Sequence, residues 1–387
     1  MSDTKITHDG RESCPEDTVC RVIGTMSGTS CDGLDVALLE VSSSGSEVRW
    51  LALKAFSYDE AMADRLRVLS GLTDAEALEL ESEWTLWVAS ALVPLVREWK
   101  REFGHIDLLG FSGHTWYHEP SGRGTRALGD GALLHERLAL PVVVDYRGAD
   151  VAAGGQGAPL VPLFDSVVFA DHGACLNLGG IANLTLLPQT EDDPVRAADL
   201  CGANLLLNRQ ARRLGKAFDR GGEDARRGVV QADALARLAS WPYLDRAWPK
   251  SLAAEDLASV HTVLDGVGEP ADAAATAVEW VAQCVANALP QPAEGQRTLM
   301  VTGGGAHHGF LMERLQARLP EGWRLVLPDG PWVDGKEAAA FAWLALRTAR
   351  GLTTSLASVT GAAEDVCGGV LCGTFAAPGC IGDTTPT

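Results

Sequence analysis

The chain has 387 residues, of which 46% are apolar and 21% are charged, a composition typical of a folded protein long enough for two domains. Its formal net charge of −19 excludes a broad electrostatic grip on nucleic acid or on an anionic membrane, because both need basic patches. An anionic nucleotide remains compatible with this charge if backbone amides and Mg²⁺ hold it.

The N-terminal segment and the cysteines predict the cellular compartment. Met1 to Val19 is polar and lacks the apolar stretch of a signal peptide, and no run of roughly 18 apolar residues occurs. The nine cysteines are odd in number and scattered, without a C-x-x-C pair. We therefore expect a cytoplasmic protein with a loose N-terminal tail and reduced, mostly buried thiols.

The first half of the chain combines predicted strands with one long helix. Arg21–Val41 is a short apolar run, a turn rich in small residues and a second apolar run, which predicts strand, turn, strand. Apolar residues at three- and four-residue intervals over Asp74–Phe103 predict an amphipathic helix. Ile106–Phe111 and Val142–Tyr146 predict buried strands, and the polar residues that end the second one are typical of a cleft.

The second half begins with a strand-turn-strand unit that resembles the first hairpin in design, and it ends in a strand followed by a helix. Its predicted elements are, in order, a strand-turn-strand unit at Ala174–Leu187, helical spacing over Asn204–Leu238 interrupted by Gly221-Gly222, a helix at Ala271–Leu289, a strand at Leu299–Thr302 and a helix at Phe310–Leu319. Glycine-rich turns thus occur in both halves. A two-lobed α/β protein that closes on a nucleotide would use them in this way.

The first glycine turn, Gly24–Asp35, has the composition of a phosphate-binding loop. Its sequence is Gly24-Thr25-Met26-Ser27-Gly28-Thr29-Ser30-Cys31-Asp32-Gly33-Leu34-Asp35. Small residues let backbone N–H groups approach phosphate oxygens, hydroxyls add donors, and Asp32 could reach a phosphate-bound Mg²⁺. It is not a Walker A loop, because it lacks Gly-Lys-Ser/Thr and leads into a strand. The alternative is a tight hairpin whose polar residues have no ligand.

Two further glycine turns could serve the same nucleotide. The second glycine turn, Gly179-Gly180, offers amide donors without Cβ obstruction, although a bulge in a buried strand explains it equally well. The third glycine turn, Gly303-Gly304-Gly305, lies between a strand and a helix, where a base or ribose can lie flat. A Rossmann interpretation fails because His308 occupies the last glycine position of G-x-G-x-x-G.

Asp199 and two histidines are the remaining candidates for chemistry. Asp199 stands at an apolar-to-polar transition, where its carboxylate could act as a base on a sugar hydroxyl or on water, or simply cap a helix. His114 and His118 have the spacing of a metal site on a helix. Gly113 and the aromatic neighbours favour an extended, sugar-contacting segment instead.

These residues together resemble the anhydro-N-acetylmuramic acid kinase family from about Arg21 to Gly373. The resemblance rests on the first glycine turn, on Asp145–Pro162 (DYRGADVAAGGQGAPLVP), Leu176–Thr185 (LNLGGIANLT), Gly303–His307 (GGGAH), Glu337–Ala345 (EAAAFAWLA) and Val359–Ala362 (VTGA). It implies an α/β, two-lobed actin/hexokinase-like (ribonuclease H-like) ATPase fold. It also implies ATP and Mg²⁺, a cytoplasmic role in peptidoglycan recycling and a homodimer.

The resemblance assigns roles by position. In the family, ATP phosphorylates O6 while water opens the 1,6-anhydro bridge at C1, and Asp199 would activate that water. Arg147, Glu337, His114 and Thr115 would contact the sugar. The nucleotide would contact Gly28, Thr29, Ser30, Cys31, Asp32, Gly33, Leu34, Asp35, Gly179, Gly180, Gly303, Gly304 and Gly305, with Asp32 toward the metal.

The resemblance also implies domain boundaries. We expect a tail at 1–20, a first domain at 21–145 that the C-terminal helix could join, a second domain at 146–373 with the catalytic aspartate, and a tail at 374–387.

Departures from the family lie on the sugar side. The family's Asp-Thr-Gly-Pro-Gly-Asn is here Asp199-Leu200-Cys201-Gly202-Ala203-Asn204, its His-Gly-Gln-Thr is Ser112-Gly113-His114-Thr115, and a Gln expected after Thr125 is Ala127. These changes leave two alternatives open. One is a kinase of another 1,6-anhydro sugar such as levoglucosan, and the other is a catalytically silent homologue that binds nucleotide or sugar.

Overall fold

A computed structural model describes residues 19–28, 31–119, 122, 124–190, 192–292 and 295–376. The chain divides into two compact units. Unit 1 comprises Met1–Phe164 with Glu337–Thr387, and unit 2 comprises Asp165–Lys336. The domain boundary expected from the resemblance lies at 145/146.

Thirteen strands occur in the described residues. They are β1 Val19–Met26, β2 Gly33–Ser42, β3 Val48–Ser57, β4 Leu108–Phe111, β5 His114–Glu119, β6 Gly124–Leu128, β7 Val142–Val144, β8 Ala174–Leu178, β9 Ile181–Leu186, β10 Arg196–Gly202, β11 Arg297–Thr302, β12 Trp323–Val326 and β13 Val370–Cys372.

The α-helices of the same residues are α1 Glu60–Arg67, α2 Asp74–Phe103, α3 Gly131–Leu138, α4 Gly148–Ala152, α5 Val161–Val168, α6 Asn204–Arg213, α7 Glu223–Arg227, α8 Ala232–Ala239, α9 Ala258–Asp265, α10 Pro270–Ala288, α11 Gly309–Arg318, α12 Trp332–Ala349 and α13 Ala357–Thr360. Short 3₁₀ segments lie at Leu69–Gly71, Arg220–Gly222, Pro242–Asp245, Ala254–Leu257 and Gly304–His307.

Unit 1 is built on a six-stranded sheet with the order β13-β7-β4-β1-β2-β3. The first three strands form an antiparallel meander, and β4 and β7 extend it parallel to β1. Its core contains Ile23, Leu38, Trp84 and Phe111, which come from β1, β2, α2 and β4. A separate hairpin of β5 and β6 belongs to the same unit.

Unit 2 is built on a five-stranded sheet with the order β10-β9-β8-β11-β12. Here too the first three strands are antiparallel neighbours, and β11 and β12 follow parallel to β8. The core packs the alanine-rich α10 around Trp280 and includes Leu176 and Val301 from the sheet.

The two sheets share one topology. The order β3-β2-β1-β4-β7 in unit 1 matches β10-β9-β8-β11-β12 in unit 2, with the same parallel and antiparallel pairings. This ribonuclease H-like arrangement, present twice in one chain, confirms the predicted α/β actin/hexokinase-like fold. No helix of the described residues is long and apolar enough to span a membrane.

Most predicted elements are present, with three differences. Asp74–Phe103 forms one helix and both strand-turn-strand units form hairpins, as expected. Strand β1 begins at Val19, inside the segment assigned to the tail, and β7 ends at Val144 rather than Tyr146. The segment 204–238 holds three short α-helices rather than two: positive φ angles at Gly215, Gly221 and Gly222 separate α6 from α7, and residues 228–231 separate α7 from α8.

Most cysteines of the described residues are buried, as expected, although Cys372 on β13 is only partly buried. Cys20, Cys31, Cys175, Cys201 and Cys284 are buried, whereas Cys367 is exposed. Cys14 and Cys380 lie outside the described residues.

Candidate active site

The first glycine turn joins β1 to β2 in unit 1. The Cys31 N–H donates to the carbonyl of Gly28 (3.1 Å), and Cys31 has a φ of 52°, which closes the turn. Asp32 is exposed on it, whereas the Leu34 side chain is in the core and Asp35 pairs with Met26 across the hairpin. Gly33 begins β2. Thr29 and Ser30 lie outside the described residues.

Buried polar side chains support the first glycine turn from inside unit 1. Ser27 Oγ lies 2.7 Å from the Tyr58 hydroxyl and 2.9 Å from Nδ1 of His114. Burial lowers the pKa of His114 to about 4 and raises that of Tyr58 to about 12, so both are neutral at physiological pH. His114 is only 4% exposed, whereas Thr115 is exposed on β5.

The second and third glycine turns lie side by side in unit 2. The carbonyls of Gly179 and Gly180 accept hydrogen bonds from Asn204 (3.1 Å) and Ala203 (2.8 Å) at the start of α6. A side chain on Gly303 would lie 2.6 Å from Asn177 Oδ1, and one on Gly305 would lie 2.6 Å from Leu178 Cβ. The third turn therefore approaches the end of β8 closely, which only glycine permits.

Parts of both turns remain open to a ligand. The nearest atom to a Cβ on Gly179 would be 3.7 Å away, and the same holds for the exposed Gly304. Glycine amides with this freedom can approach phosphate oxygens. The structure thus brings together two of the three predicted nucleotide turns within unit 2.

Asp199 lies on β10, where a bulge between Asp199 and Cys201 shifts the register with β9. Its Oδ1 accepts a hydrogen bond from Nδ2 of Asn183 on β9, and its Oδ2 accepts one from the N–H of Leu252 (2.8 Å). Burial raises the pKa of Asp199, and these two hydrogen bonds oppose the rise. The result is a half-buried carboxylate that is fixed in direction and suited to accept a proton.

The main chain of Asp199 is held as well. Its N–H donates to the carbonyl of Lys250 (3.0 Å), and its carbonyl accepts from the Tyr243 hydroxyl (2.8 Å). The segment 243–252 therefore forms hydrogen bonds with both the N–H and the carbonyl of Asp199.

The predicted sugar residues Arg147 and Glu337 belong to unit 1. Burial lowers the pKa of Arg147, and the negative charges of Glu337 and Asp150 oppose this shift, so the three groups are electrostatic neighbours. Nη1 of Arg147 donates to the carbonyl of Gly157 (2.7 Å). Arg147 also lowers the pKa of His118, which burial brings to about 4.

Asp150 organises the loop around Arg147. It is fully buried, and its carboxylate accepts hydrogen bonds from the hydroxyls of Ser355 and Thr360 and from the N–H of Gly157, each 2.7 Å long. The same Gly157 holds Arg147 through its carbonyl, so Asp150 fixes the arginine's acceptor.

Sequence reasoning missed the residues that hold the candidates in place. Two of these residues, Asn183 and Leu252, donate hydrogen bonds to Asp199. Asp150 holds the loop around Arg147, and Tyr58 contacts the first glycine turn. The sequence patterns assigned a supporting role to none of the four. Only Asn183 carried a usable signal, because a hairpin places it directly opposite Asp199.

Comparison with known proteins identifies the family to which the chain belongs. The family model described as anhydro-N-acetylmuramic acid kinase matches residues 20–373. Proteins of that name are similar to the chain: one from Thiobacillus denitrificans is 38% identical, covering 88% of this chain and 94% of the relative. Others are 36% identical in Ruegeria sp. (91% and 94%) and 38% identical in Cereibacter sphaeroides (90% and 94%). The chain therefore belongs to the anhydro-N-acetylmuramic acid kinase family.

Proposed function

We propose that this protein transfers the γ-phosphate of ATP to O6 of 1,6-anhydro-N-acetylmuramic acid while water opens the anhydro bridge. The product is N-acetylmuramic acid 6-phosphate, formed in peptidoglycan recycling. Family membership supports the substrate class, and the relatives carry the name of this activity. The observation that carries the mechanism is Asp199, a half-buried carboxylate of raised pKa whose two oxygens are both held by donors.

Asp199 acts as the general base. It takes a proton from water as the water oxygen bonds to C1, the C1–O6 bond breaks, and O6 attacks the γ-phosphorus in line. The bond from that phosphorus to the bridging oxygen of ADP then breaks. A positioned base contributes about 10²–10⁴ in rate, and a raised pKa favours proton uptake by the carboxylate.

The glycine turns hold the nucleotide. Backbone amides of the first glycine turn bind the terminal phosphates, with Thr29 and Ser30 keeping the role that the family resemblance gives them. Gly179 and Gly180 add amides, and Gly303-Gly304-Gly305 supports the adenosine. Open space at Gly179 and Gly304 supports these contacts.

The residues present fit Mg²⁺ bound with the nucleotide. Asp32 presents an exposed carboxylate on the first glycine turn, and the described residues contain no group of three metal-ligating side chains. Mg²⁺ in kinases takes one or two carboxylates and completes its shell with phosphates and water, so Asp32 suits this role. Bound there, Mg²⁺ supplies charge neutralisation at the transferring phosphoryl group.

The sugar binds to Arg147, Glu337 and the exposed Thr115, as the resemblance implies. His114, the fourth residue that the resemblance assigns to the sugar, is only 4% exposed and lies against Ser27 of the first glycine turn, so it does not contact the sugar directly. The electrostatic coupling of Arg147 to Glu337 supports this pairing. We also propose a cytoplasmic location and a homodimer, which follow from family membership alone.

The decisive experiment is an ADP-release assay with ATP and Mg²⁺, comparing 1,6-anhydro-N-acetylmuramic acid with levoglucosan. We expect turnover of the amino sugar. Faster turnover of levoglucosan would identify the protein as a kinase of that sugar instead. Nucleotide binding without sugar-dependent ADP release would indicate a catalytically silent homologue.

The substitution Asp199→Asn tests the base. It should abolish turnover and leave the affinity for ATP nearly unchanged, because the carboxylate acts on water and not on the nucleotide. Undiminished kcat in this variant would remove Asp199 from the mechanism.

A further inference from the structure

A continuous chain of buried hydrogen bonds runs from α2 to the first glycine turn. Nε1 of Trp84 donates to the Tyr58 hydroxyl (3.1 Å), which lies 2.7 Å from Ser27 Oγ. Ser27 Oγ in turn lies 2.9 Å from Nδ1 of His114, whose Nε2 lies 3.8 Å from the thiol of Cys31. We refer to these five side chains as the buried chain. All five are less than 9% exposed.

The donors of the buried chain point in one direction. Because the indole Nε1–H of Trp84 can only donate, the Tyr58 oxygen is an acceptor there, and its single proton is directed to Ser27. Ser27 then donates to Nδ1 of His114, which places the imidazole proton on Nε2, toward Cys31. The opposite direction would leave the Tyr58 proton without an acceptor among the described contacts, a costly state for a buried hydroxyl.

Tyr58 holds the first glycine turn on both sides. Its hydroxyl contacts Ser27, just after β1, and its backbone N–H donates to the carbonyl of Asp32, just before β2 (3.1 Å). His114 adds a second contact on each side, through Ser27 and Cys31. One tyrosine and one histidine thus span the segment that the proposed function places on the phosphates.

We propose that Tyr58 and His114 are positioning residues, which hold the first glycine turn in the shape that binds the terminal phosphates of the nucleotide. This inference rests on the proposed function of that turn. The two side chains are 8% and 4% exposed, so they act on the nucleotide through Ser27, Cys31 and Asp32. Buried networks of this kind fix a single geometry when every member has its partner.

Tyr58→Phe is the first test, because it removes one oxygen and keeps the ring that packs against Trp87 (centroids 4.8 Å apart). Loss of one such hydrogen bond should weaken binding of a non-hydrolysable ATP analogue with Mg²⁺ by about 3- to 10-fold. The KM for ATP should rise equally, while the KM for the sugar stays unchanged. Tyr146→Phe is the matched control, since that buried hydroxyl makes only a long contact of 3.4 Å.

A histidine pair provides the second test. His114→Asn keeps an acceptor near the position of Nδ1, whereas His114→Leu removes it, so the asparagine variant should retain more nucleotide affinity than the leucine variant. Nitrogen NMR of wild-type protein should show His114 with its proton on Nε2. A merely structural role would lower the fraction of active protein, seen as reduced kcat, without moving KM for ATP.

These experiments distinguish failure of the positioning role from failure of the proposed nucleotide-binding function of the turn. Equal analogue affinity in wild type, Tyr58→Phe and His114→Leu would overturn the positioning role. A rise in the KM for the sugar alone would also overturn it and return His114 to the sugar. Failure of the wild-type protein to bind the analogue at all would overturn the proposed nucleotide role of the turn itself.

Discussion

At the scale of single residues, Asp199 shows how one carboxylate is tuned by opposing influences. Burial favours its neutral form, while the donors Asn183 and Leu252 favour its charged form. Burial prevails, and the pKa is raised. A base in this state is ionised only above its raised pKa, so catalysis should decline as the pH falls through that value.

Asn183→Ala should shift this decline to higher pH. The substitution removes a hydrogen bond to the charged form of Asp199, so the pKa of the carboxyl rises further. The acid limb of the kcat/KM profile should therefore move up, whereas Asn183→Ser, which keeps a donor, should move it less. An acid limb that is identical in all three proteins would show that another group controls it.

Asp150 is a second residue for which hydrogen-bond partners offset the free-energy cost of burying a carboxylate. Its carboxylate is fully buried, and it is tolerated there because three donors meet it. Two of these three donors, the hydroxyls of Ser355 and Thr360, lie more than 200 residues further along the chain.

Thr360→Val should destabilise the protein by about 1–3 kcal/mol, the usual cost of leaving a buried acceptor without its donor. Thr360→Ser keeps the hydroxyl and should cost much less. Urea unfolding of the two variants measures the difference. If valine and serine prove equally stable, the hydrogen bond to Asp150 contributes nothing to the folded state.

At the scale of elements, α12 packs on the sheet of unit 1 through two glycines. A side chain on Gly24 of β1 would overlap the carbonyl oxygen of Ala338, and one on Gly110 of β4 would overlap that of Phe341. Small residues on both partners allow the helix backbone to approach the strands directly. This packing explains the alanines of Glu337–Ala345, which the sequence offered only as part of a resemblance.

Gly24→Ala should therefore be strongly destabilising. The added methyl group meets main-chain atoms, which cannot rotate away, and overpacking of this kind costs about 1–3 kcal/mol or more. Gly71→Ala is the matched control, because no atom lies within 4 Å of its added carbon. Thermal unfolding of both variants would show the contrast, and a Gly24→Ala protein as stable as the control would disprove the close packing.

The same scale shows what sequence patterns can and cannot predict. The bounds of α2 were predictable because Thr73 and Glu76 form a capping box and Gly104 follows with positive φ. The two hairpins were predictable from their small-residue turns. The segment 204–238 was predictable only in part: Gly221-Gly222 marks one interruption, but helical spacing does not reveal that α6 already ends at Arg213 and α7 at Arg227.

The candidate site divides in the same way. Asp199 and the glycine turns could be proposed from the sequence because their chemistry is local. Tyr58, Leu252 and Thr360 could not, because they reach their partners across 31, 53 and 210 residues of sequence. Local sequence patterns do not indicate such long-range contacts, because the residues become neighbours only in the folded protein.

At the scale of the whole molecule, repetition explains the placement of the glycine turns. The first turn joins β1 to β2 and the second joins β8 to β9, which are equivalent strands of the repeated sheet. Two turns that share no sequence pattern thus occupy the same structural position. The third lies after β11, the counterpart of β4. The repeated sheet could not be recognised by comparing the two halves of the sequence, because the two hairpins share a strand-turn-strand pattern but not their residues.

The net charge of the molecule predicts how its stability responds to salt. With 51 acidic and 32 basic residues, the folded state carries an excess of negative charge that repels itself. Exposed pairs such as Arg226–Glu313 oppose this repulsion, but a solvent-exposed pair stabilises little and is itself screened by salt.

Raising NaCl from about 0.05 to about 0.5 M shortens the screening length severalfold, and we expect the melting temperature to rise because the repulsion outweighs the pairs. Choline chloride at the same ionic strength should raise the melting temperature equally if screening is the cause. A melting temperature that falls with salt would mean that the surface ion pairs, and not the excess of carboxylates, dominate the electrostatic free energy of this fold.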